Sequence, residues 1–323
     1  MTAQKKGILL GLTATAFWAT FYPLGRVLFG FNPDAVEPLN FSFLRFAFAT
    51  LFFLPMLFKP ANRRAVHTLL RKHWRQVLTL SAVGIAGEGV LVFWALKYTT
   101  SARASLLANA SPIFTVLISY FCGRELLNGR KISGMILGFL GILLAFQGGG
   151  GDVFSADAGI LVGDLMALLS GIGWAYYTVF GAEVTACCGG MLGTGVLFAC
   201  GTLLMLPVLI ISGKGPDFNL PLRVWLGAFY LGTLSNGLAN GLWYMALKYV
   251  TPGELGSCGY ISALLTFTLA VLFLDEQCNW QFLVAIALVL GGVALMLQRG
   301  KSDQQDIACG SGSGLNHGEE ARI

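Results

Sequence analysis

The chain has 323 residues, of which 55% are hydrophobic and only 11% charged, with 24 Phe, 42 Gly and a formal net charge of +5. Soluble globular proteins carry roughly 25% charged residues, so 21 basic and 16 acidic side chains are too few to cover a water-facing surface of this size. That excludes an ordinary soluble enzyme, a nucleic-acid-binding protein and a disordered chain, and assigns most of the sequence to lipid.

A bilayer core about 30 Å thick needs roughly 20 mostly apolar residues per spanning helix, and on that scale the chain reads as ten spans. The first, 7–30, contains Arg26, is too long for a cleaved signal peptide and has no small-residue cleavage site after it. It holds Trp18 near its middle and Tyr22-Pro23, which breaks the helix locally so that freed backbone groups line a cavity. The second, 37–58, carries Arg45. The longest connection, 59–74, is basic and has room for a short amphipathic helix lying in the interface. The third, 75–96, has Glu88 at its middle between Gly84 and Gly89, and the fourth, 102–122, opens on Arg103 and places Asn109 just before Pro112. The fifth covers 131–148. The sixth, 159–181, has Asp164 one turn in, with Trp174, Tyr176 and Tyr177 beyond it. The seventh covers 189–212, and the eighth, 222–247, contains Asn236, Asn240, Trp243 and Tyr244. The ninth, 253–274, starts at Glu254 and includes Tyr260; the tenth is 281–298. From 299 to 323 the chain is polar, with Gly310-Ser-Gly-Ser-Gly314 inside it, a composition that forms a flexible tail rather than a core.

Lys and Arg set the orientation. With the amino end in the cytoplasm, fifteen of them fall on that side, among them Lys5, Lys6, Arg63, Arg64, Arg71, Lys72, Arg124, Arg130 and Lys131, against Lys97, Lys214 and Arg223 opposite. Both termini are therefore predicted to be cytoplasmic. The seven Cys are scattered without a CxxC spacing and read as packing residues, and the three His do not cluster as metal ligands. No Walker A, HExxH or GxSxG motif occurs.

The chain also repeats itself. At an offset of 151 residues Ala95-Leu-Lys-Tyr98 falls on Ala246-Leu-Lys-Tyr249, Ser111 on Ser262, Thr115 on Thr266, Glu125 on Glu276 and Gln147 on Gln298. Trp18 meets Trp174 at an offset of 156, a loop-length change. An odd number of spans per copy sends the second copy through the membrane in the opposite sense, and inverted repeats around a midplane site are a transporter architecture.

The residues of the repeat carry a family resemblance. Gly11-Leu-Thr-Ala-Thr-Ala-Phe-Trp-Ala-Thr20, and the run from Ala95 through Ser111-Pro112 to Gly123-Arg-Glu125, resemble the EamA repeat of the drug/metabolite transporter superfamily. The second copy is similar from Ala246 to Glu276 but has Ala263 where Pro112 stands in the first. Ten spans and this length resemble the YddG-type amino-acid and metabolite exporters most. The resemblance implies an all-α integral membrane protein of ten helices. Two inverted five-helix repeats, 7–148 and 159–298, would export small metabolites across a bacterial inner membrane by alternating access. Nucleotide-sugar, sugar-phosphate and amine carriers share that architecture.

Charges inside spans are expensive and face a cavity or a partner. Glu88 reads either as the holder of a substrate ammonium or a coupling proton, or as half of an ion pair with Arg45 or Arg103. Arg45 fits a substrate carboxylate through its planar fork, or packs one helix on another. Arg103 and Glu254, equivalent in the repeat, form a pair of gates at opposite faces. Glu125 reads as a cap neutralised by Arg124, Arg130 or Lys131. Trp18, Tyr22, Asn109, Trp174, Tyr177, Asn240 and Tyr260 are the candidate cavity wall, each of which also serves as core packing. Such a wall, with few fixed charges, suits amino acids, aromatic or apolar ones above all, better than sugar phosphates, which call for several Lys or Arg. No catalytic cluster points to an intramembrane enzyme. No cofactor or metal is expected, with proton coupling open; the expected partners are a small molecule and lipid, and the GxxxG pairs Gly7/Gly11, Gly134/Gly138, Gly159/Gly163, Gly189/Gly193 and Gly237/Gly241 pack helices either within one protomer or at the face of a homodimer.

Overall fold

The computed structural model describes residues 2–21, 23, 24, 28, 37–99, 101–148, 158–213, 215–273 and 280–298, and among these every regular element is a helix. In chain order they are α1 (Ala3–Ala19), α2 (Pro38–Leu57), α3 (Pro60–Lys72), α4 (Trp74–Ser81), α5 (Glu88–Tyr98), α6 (Ser101–Ala108) and α7 (Ser111–Phe121). After them come α8 (Gly129–Gly148), α9 (Ala158–Cys188), α10 (Gly190–Ile211), α11 (Leu222–Tyr230), α12 (Ala239–Ala246), α13 (Pro252–Phe273) and α14 (Trp280–Leu297). Two π-helical segments, Ala82–Gly87 and Leu231–Leu238, join α4 to α5 and α11 to α12.

Four stretches are long and apolar enough to cross a hydrocarbon core: Leu39–Leu57, Trp74–Val92, Gly159–Cys188 and Gly190–Ile211. Leu106–Phe121 and Leu283–Leu297 are shorter apolar helices. The amphipathic helix expected in the 59–74 connection is α3, which buries Leu69 and leaves Arg63, Arg64 and Arg71 exposed. Helix α9 differs from expectation, running 31 residues, about 46 Å at 1.5 Å per residue. The span predicted to end at 181 continues because 182–188 contains neither Gly nor Pro, and it stops at Gly189, whose φ of +88° suits only a residue without Cβ.

The two copies fold alike except where their sequences part. Pro112 offers no N–H and crowds the carbonyl four residues back, so the fourth span divides into α6 and α7 around Asn109-Ala110. Ala263 stands at the equivalent place in the second copy, and α13 runs unbroken. Both π segments end at repeat-equivalent residues, Gly87 and Leu238.

Packing pairs corresponding helices across the two copies, α2 against α10 and α8 against α14, while α1 lies on α13 and α9 on α7. Three of the glycine pairs pack against helices of the same chain. A Cβ on Gly134 would stand 2.6 Å from the Gly292 carbonyl oxygen, and one on Gly138 2.6 Å from the Tyr260 ring. Gly7 and Gly11 face Val250 and Leu255, and Gly237 and Gly241 face Phe52 and Met191. The largest apolar cluster joins Phe41, Phe46 and Phe53 of α2 to Val196, Phe198 and Met205 of α10. Between the paired helices the centre of the bundle stays open.

Candidate functional site

A cavity of about 210 Å³ lies there, walled by both copies. Its lining alternates rings with small polar groups: Trp18 and Phe21 from the first span, Arg45 and Phe46 from α2, Glu88 from α5, Trp174 from α9, and Trp243 from α12. Ser111 and Ser262, a repeat pair, face it from α7 and α13. An apolar cavity of about 150 Å³ takes up a benzene, so this one has room for a small organic molecule.

Three indoles form its apolar wall. The repeat-equivalent Trp18 and Trp174 meet edge to face at 5.1 Å between centroids, and Trp243 lies 4.9 Å from Trp18 and 6.2 Å from Trp174. Ring pairs in such geometry add about 0.5–1.5 kcal/mol beyond area burial. Each polar tip that is bonded is bonded inward: Trp18 Nε1 donates to the Ser235 carbonyl at 2.8 Å and Trp243 Nε1 to Thr178 Oγ1 at 3.3 Å.

The π segments shape the polar part. A π turn breaks the regular ladder, and such turns gather at functional sites. In the second segment the Ser235 carbonyl takes the Trp18 indole and the Asn236 carbonyl takes Asn240 Nδ2 at 2.8 Å. The first segment contributes Gly84 and Ile85 to the wall, with Glu88 directly after it. Among the described residues the charge that acts on the Glu88 carboxylate is the Arg45 guanidinium in the same wall. Arg45 is buried differently: Nη2 donates to Ser42 Oγ at 3.3 Å, and the guanidinium lies over Phe21 at 4.4 Å, Phe46 at 5.6 Å and Phe41 at 5.8 Å.

Of the residues singled out from sequence, Trp18, Arg45, Glu88, Asn109, Trp174 and Asn240 share this cavity. Tyr177 and Tyr260 lie outside its wall. Tyr177 is wholly buried, packs on Trp174 and Tyr244, and accepts the Tyr244 hydroxyl on its carbonyl at 2.6 Å. Tyr260 fills the space above Gly138 and donates to the Met135 carbonyl at 3.4 Å. Glu254 is far from the rings, at the start of α13, where it accepts from Gln4 Nε2 at 2.9 Å and from the Thr251 N–H at 3.0 Å. Tyr22 and the Arg103 side chain lie outside the described residues. Asp164 accepts the Thr99 hydroxyl at 2.7 Å.

Glu125 closes the end of the bundle that carries the N-terminus. Its buried carboxylate pairs with Lys131 Nζ at 2.9 Å and accepts from Thr251 Oγ1 at 2.9 Å and from the Gly253 N–H at 3.0 Å, which caps α13. The loop after α7 is thereby tied to the first turn of a helix in the other copy. Arg124, also considered as its partner, pairs instead with Glu183 and donates to the Val179 carbonyl at 2.7 Å.

Sequence reading missed Ser235, and it named Asn236 and Trp243 among the polar-tipped groups of the spans without placing them in the wall. The signal available was positional: at the 151-residue offset Ser235 falls on Gly84 and Asn236 on Ile85, both beside Glu88.

Comparison with known proteins adds an independent line. Residues 5–147 and 161–298 each match the EamA-like transporter family. The chain is 26% identical over 292 residues to an uncharacterized transporter of Archaeoglobus fulgidus, covering 90% of this chain and 97% of that one. It is also 26% identical over 302 residues to the aromatic amino acid exporter YddG of Ancylobacter novellus, covering 91% and 97%. A solved crystal structure superposes with a TM-score of 0.76 at 23% identity, over 90% of this chain and 96% of the other, a likeness of fold.

Proposed function

The chain belongs to the EamA-like transporter family, and on that premise we propose that it exports amino acids, aromatic or other apolar ones foremost, by alternating access. It is a transporter rather than an enzyme. The observation that carries the substrate reading is the single cavity in which three indoles adjoin a carboxylate, Glu88, and a guanidinium, Arg45. Indoles stack on an apolar or aromatic side chain, and a carboxylate in a low-dielectric site holds an ammonium strongly. Arg45 is the one basic residue among the described lining residues. A phosphate-bearing cargo needs more positive charge, and a nucleotide sugar is far larger than one ring with a polar head. The export direction rests on the likeness to the YddG exporter.

In this reading ten helices form two inverted five-helix repeats in a bacterial inner membrane, with both termini in the cytoplasm on the fifteen-to-three distribution of Lys and Arg. Glu88 carries either the substrate ammonium or an exchangeable proton, never both at once, which makes proton antiport the natural coupling. The test is thermal stabilisation of the purified protein by a panel of amino acids, amines, nucleosides and sugar phosphates. Stabilisation by tryptophan or phenylalanine, weakened in Trp18→Ala or Trp174→Ala, supports the reading. Stabilisation by phosphorylated sugars alone refutes it.

A further inference from the structure

Asn236 and Asn240 are a second unsolved problem in the same cavity. Both are more than nine-tenths buried, and both line it. Asn240 spends its amide group on the Asn236 carbonyl, which leaves Asn240 Oδ1 with no donor. Asn236 Nδ2 has no acceptor. A buried polar atom without a partner is destabilising, and here two of opposite kind stand one helical turn apart on the same π-distorted span. The first copy has Ile85 and Gly89 at the equivalent positions, so neither amide is needed to build the turn.

An orphan donor next to an orphan acceptor fits a ligand that offers an acceptor and a donor at short separation. An α-amino acid head does so: its carboxylate oxygens only accept and its ammonium only donates. An ammonium has three N–H bonds, so one directed at Glu88 leaves others. We propose that Asn236 and Asn240 read the amino-acid head of the cargo, Asn236 Nδ2 donating to the carboxylate and Asn240 Oδ1 accepting from the ammonium. Two neutral amides then recognise a zwitterion without adding net charge to the cavity. This rests on the amino-acid reading above and adds what that reading leaves open, the means by which the protein separates an amino acid from the amine of the same side chain.

The experiment uses the full chain in detergent, titrated with L-tryptophan and with tryptamine, which keeps the ring and the ammonium but lacks the carboxylate; the melting temperature reports binding. Asn236→Ala should raise the half-stabilising concentration of tryptophan about tenfold, the worth of one hydrogen bond to a charged group, and leave tryptamine unchanged. Asn236→Asp turns the donor into a negative acceptor and should reverse the preference, holding tryptamine and losing tryptophan. Without ligand, Asn236→Ala should melt no lower than the wild type, since it removes an atom that bonds nothing. Equal loss of both ligands, no loss of tryptophan, or a ligand-free variant that melts well below wild type would each overturn the proposal while the transporter reading stands. A wild-type protein that binds neither ligand overturns the amino-acid reading itself, and this proposal with it.

Discussion

Replacing Glu125 by Ala tests whether the two copies are tied at the end that carries the N-terminus. The substitution leaves Lys131, 4% exposed, without its ion-pair partner, its Nζ still donating to the Leu126 carbonyl at 3.2 Å. It also strands the Gly253 N–H and the Thr251 hydroxyl, which donate to the carboxylate at 3.0 and 2.9 Å. Breaking a buried pair by removing one partner costs about 3–5 kcal/mol; the two hydrogen bonds are part of that figure rather than additions to it, because all three contacts share one group. The assay is chemical unfolding in detergent of Glu125→Ala, Thr251→Val and the double variant. Thr251→Val alone should cost about 2 kcal/mol, since Oγ1 donates to Glu125 and also accepts the Glu254 N–H at 3.2 Å, and about 1 kcal/mol less once Glu125 is gone, a coupling of about 1 kcal/mol between residues in different repeats. Full additivity would show that Glu125 serves only its local pair with Lys131 and refute the tie.

Three further outcomes follow from the same geometry. Glu88→Gln should abolish transport driven by a pH gradient yet preserve exchange of labelled for unlabelled substrate in proteoliposomes; undiminished pH-driven transport would exclude Glu88 as the coupling group. On α14, Gly292→Ala pushes a Cβ to 2.6 Å from the Gly138 backbone nitrogen, whereas Gly291→Ala meets nothing within 4 Å. The first should therefore destabilise by about 1–3 kcal/mol and the second by under about 0.5 kcal/mol, and equal melting temperatures would count against the close α8–α14 contact. Gly84→Ala drives a Cβ into the Tyr177 ring, 2.7 Å from its Cγ, so it should lower both stability and substrate binding, with Tyr177→Ala partly restoring the fold.

Much of this architecture was legible in residue order because lipid forces simple bookkeeping. Backbone groups must be satisfied inside each span, so apolar runs near 20 residues announce helices, and Pro112 against Ala263 foretells which copy breaks its fourth span. Trp18 and Trp174, aligned by the repeat and lying mid-span, read as marking a cavity or a packed seam, and the two indoles meet at the cavity wall. What one-dimensional reading missed was rotation. Tyr177 and Tyr260 lie on faces turned to Tyr244 and Gly138 rather than to the cavity, and rings spread along a span do not reveal which of its faces each one takes. The π segments were equally invisible, because neither Ala82–Gly87 nor Leu231–Leu238 contains proline, and glycines with a few small polar residues also occur in ordinary spans.

Those segments bear on how alternating access works in a duplicated chain. If the copies were chemically identical at the cavity, the two access states would differ only in name and a ligand would bind both equally, shifting nothing. They are not identical. At the 151-residue offset Glu88 faces Ala239, Ile85 faces Asn236, Gly89 faces Asn240 and Val92 faces Trp243. The carboxylate belongs to one copy, and the amides and the third indole belong to the other. On the proposed reading, contacts to the cargo's ammonium, carboxylate and side chain would be divided between the two copies. A zwitterion spanning both would stabilise whichever arrangement brings Glu88 and the Asn236–Asn240 pair to the separation of its head groups, and an amine or a carboxylic acid alone would not. The divergence at four neighbouring positions would then supply what symmetry withholds, a free-energy difference between access states that depends on the cargo.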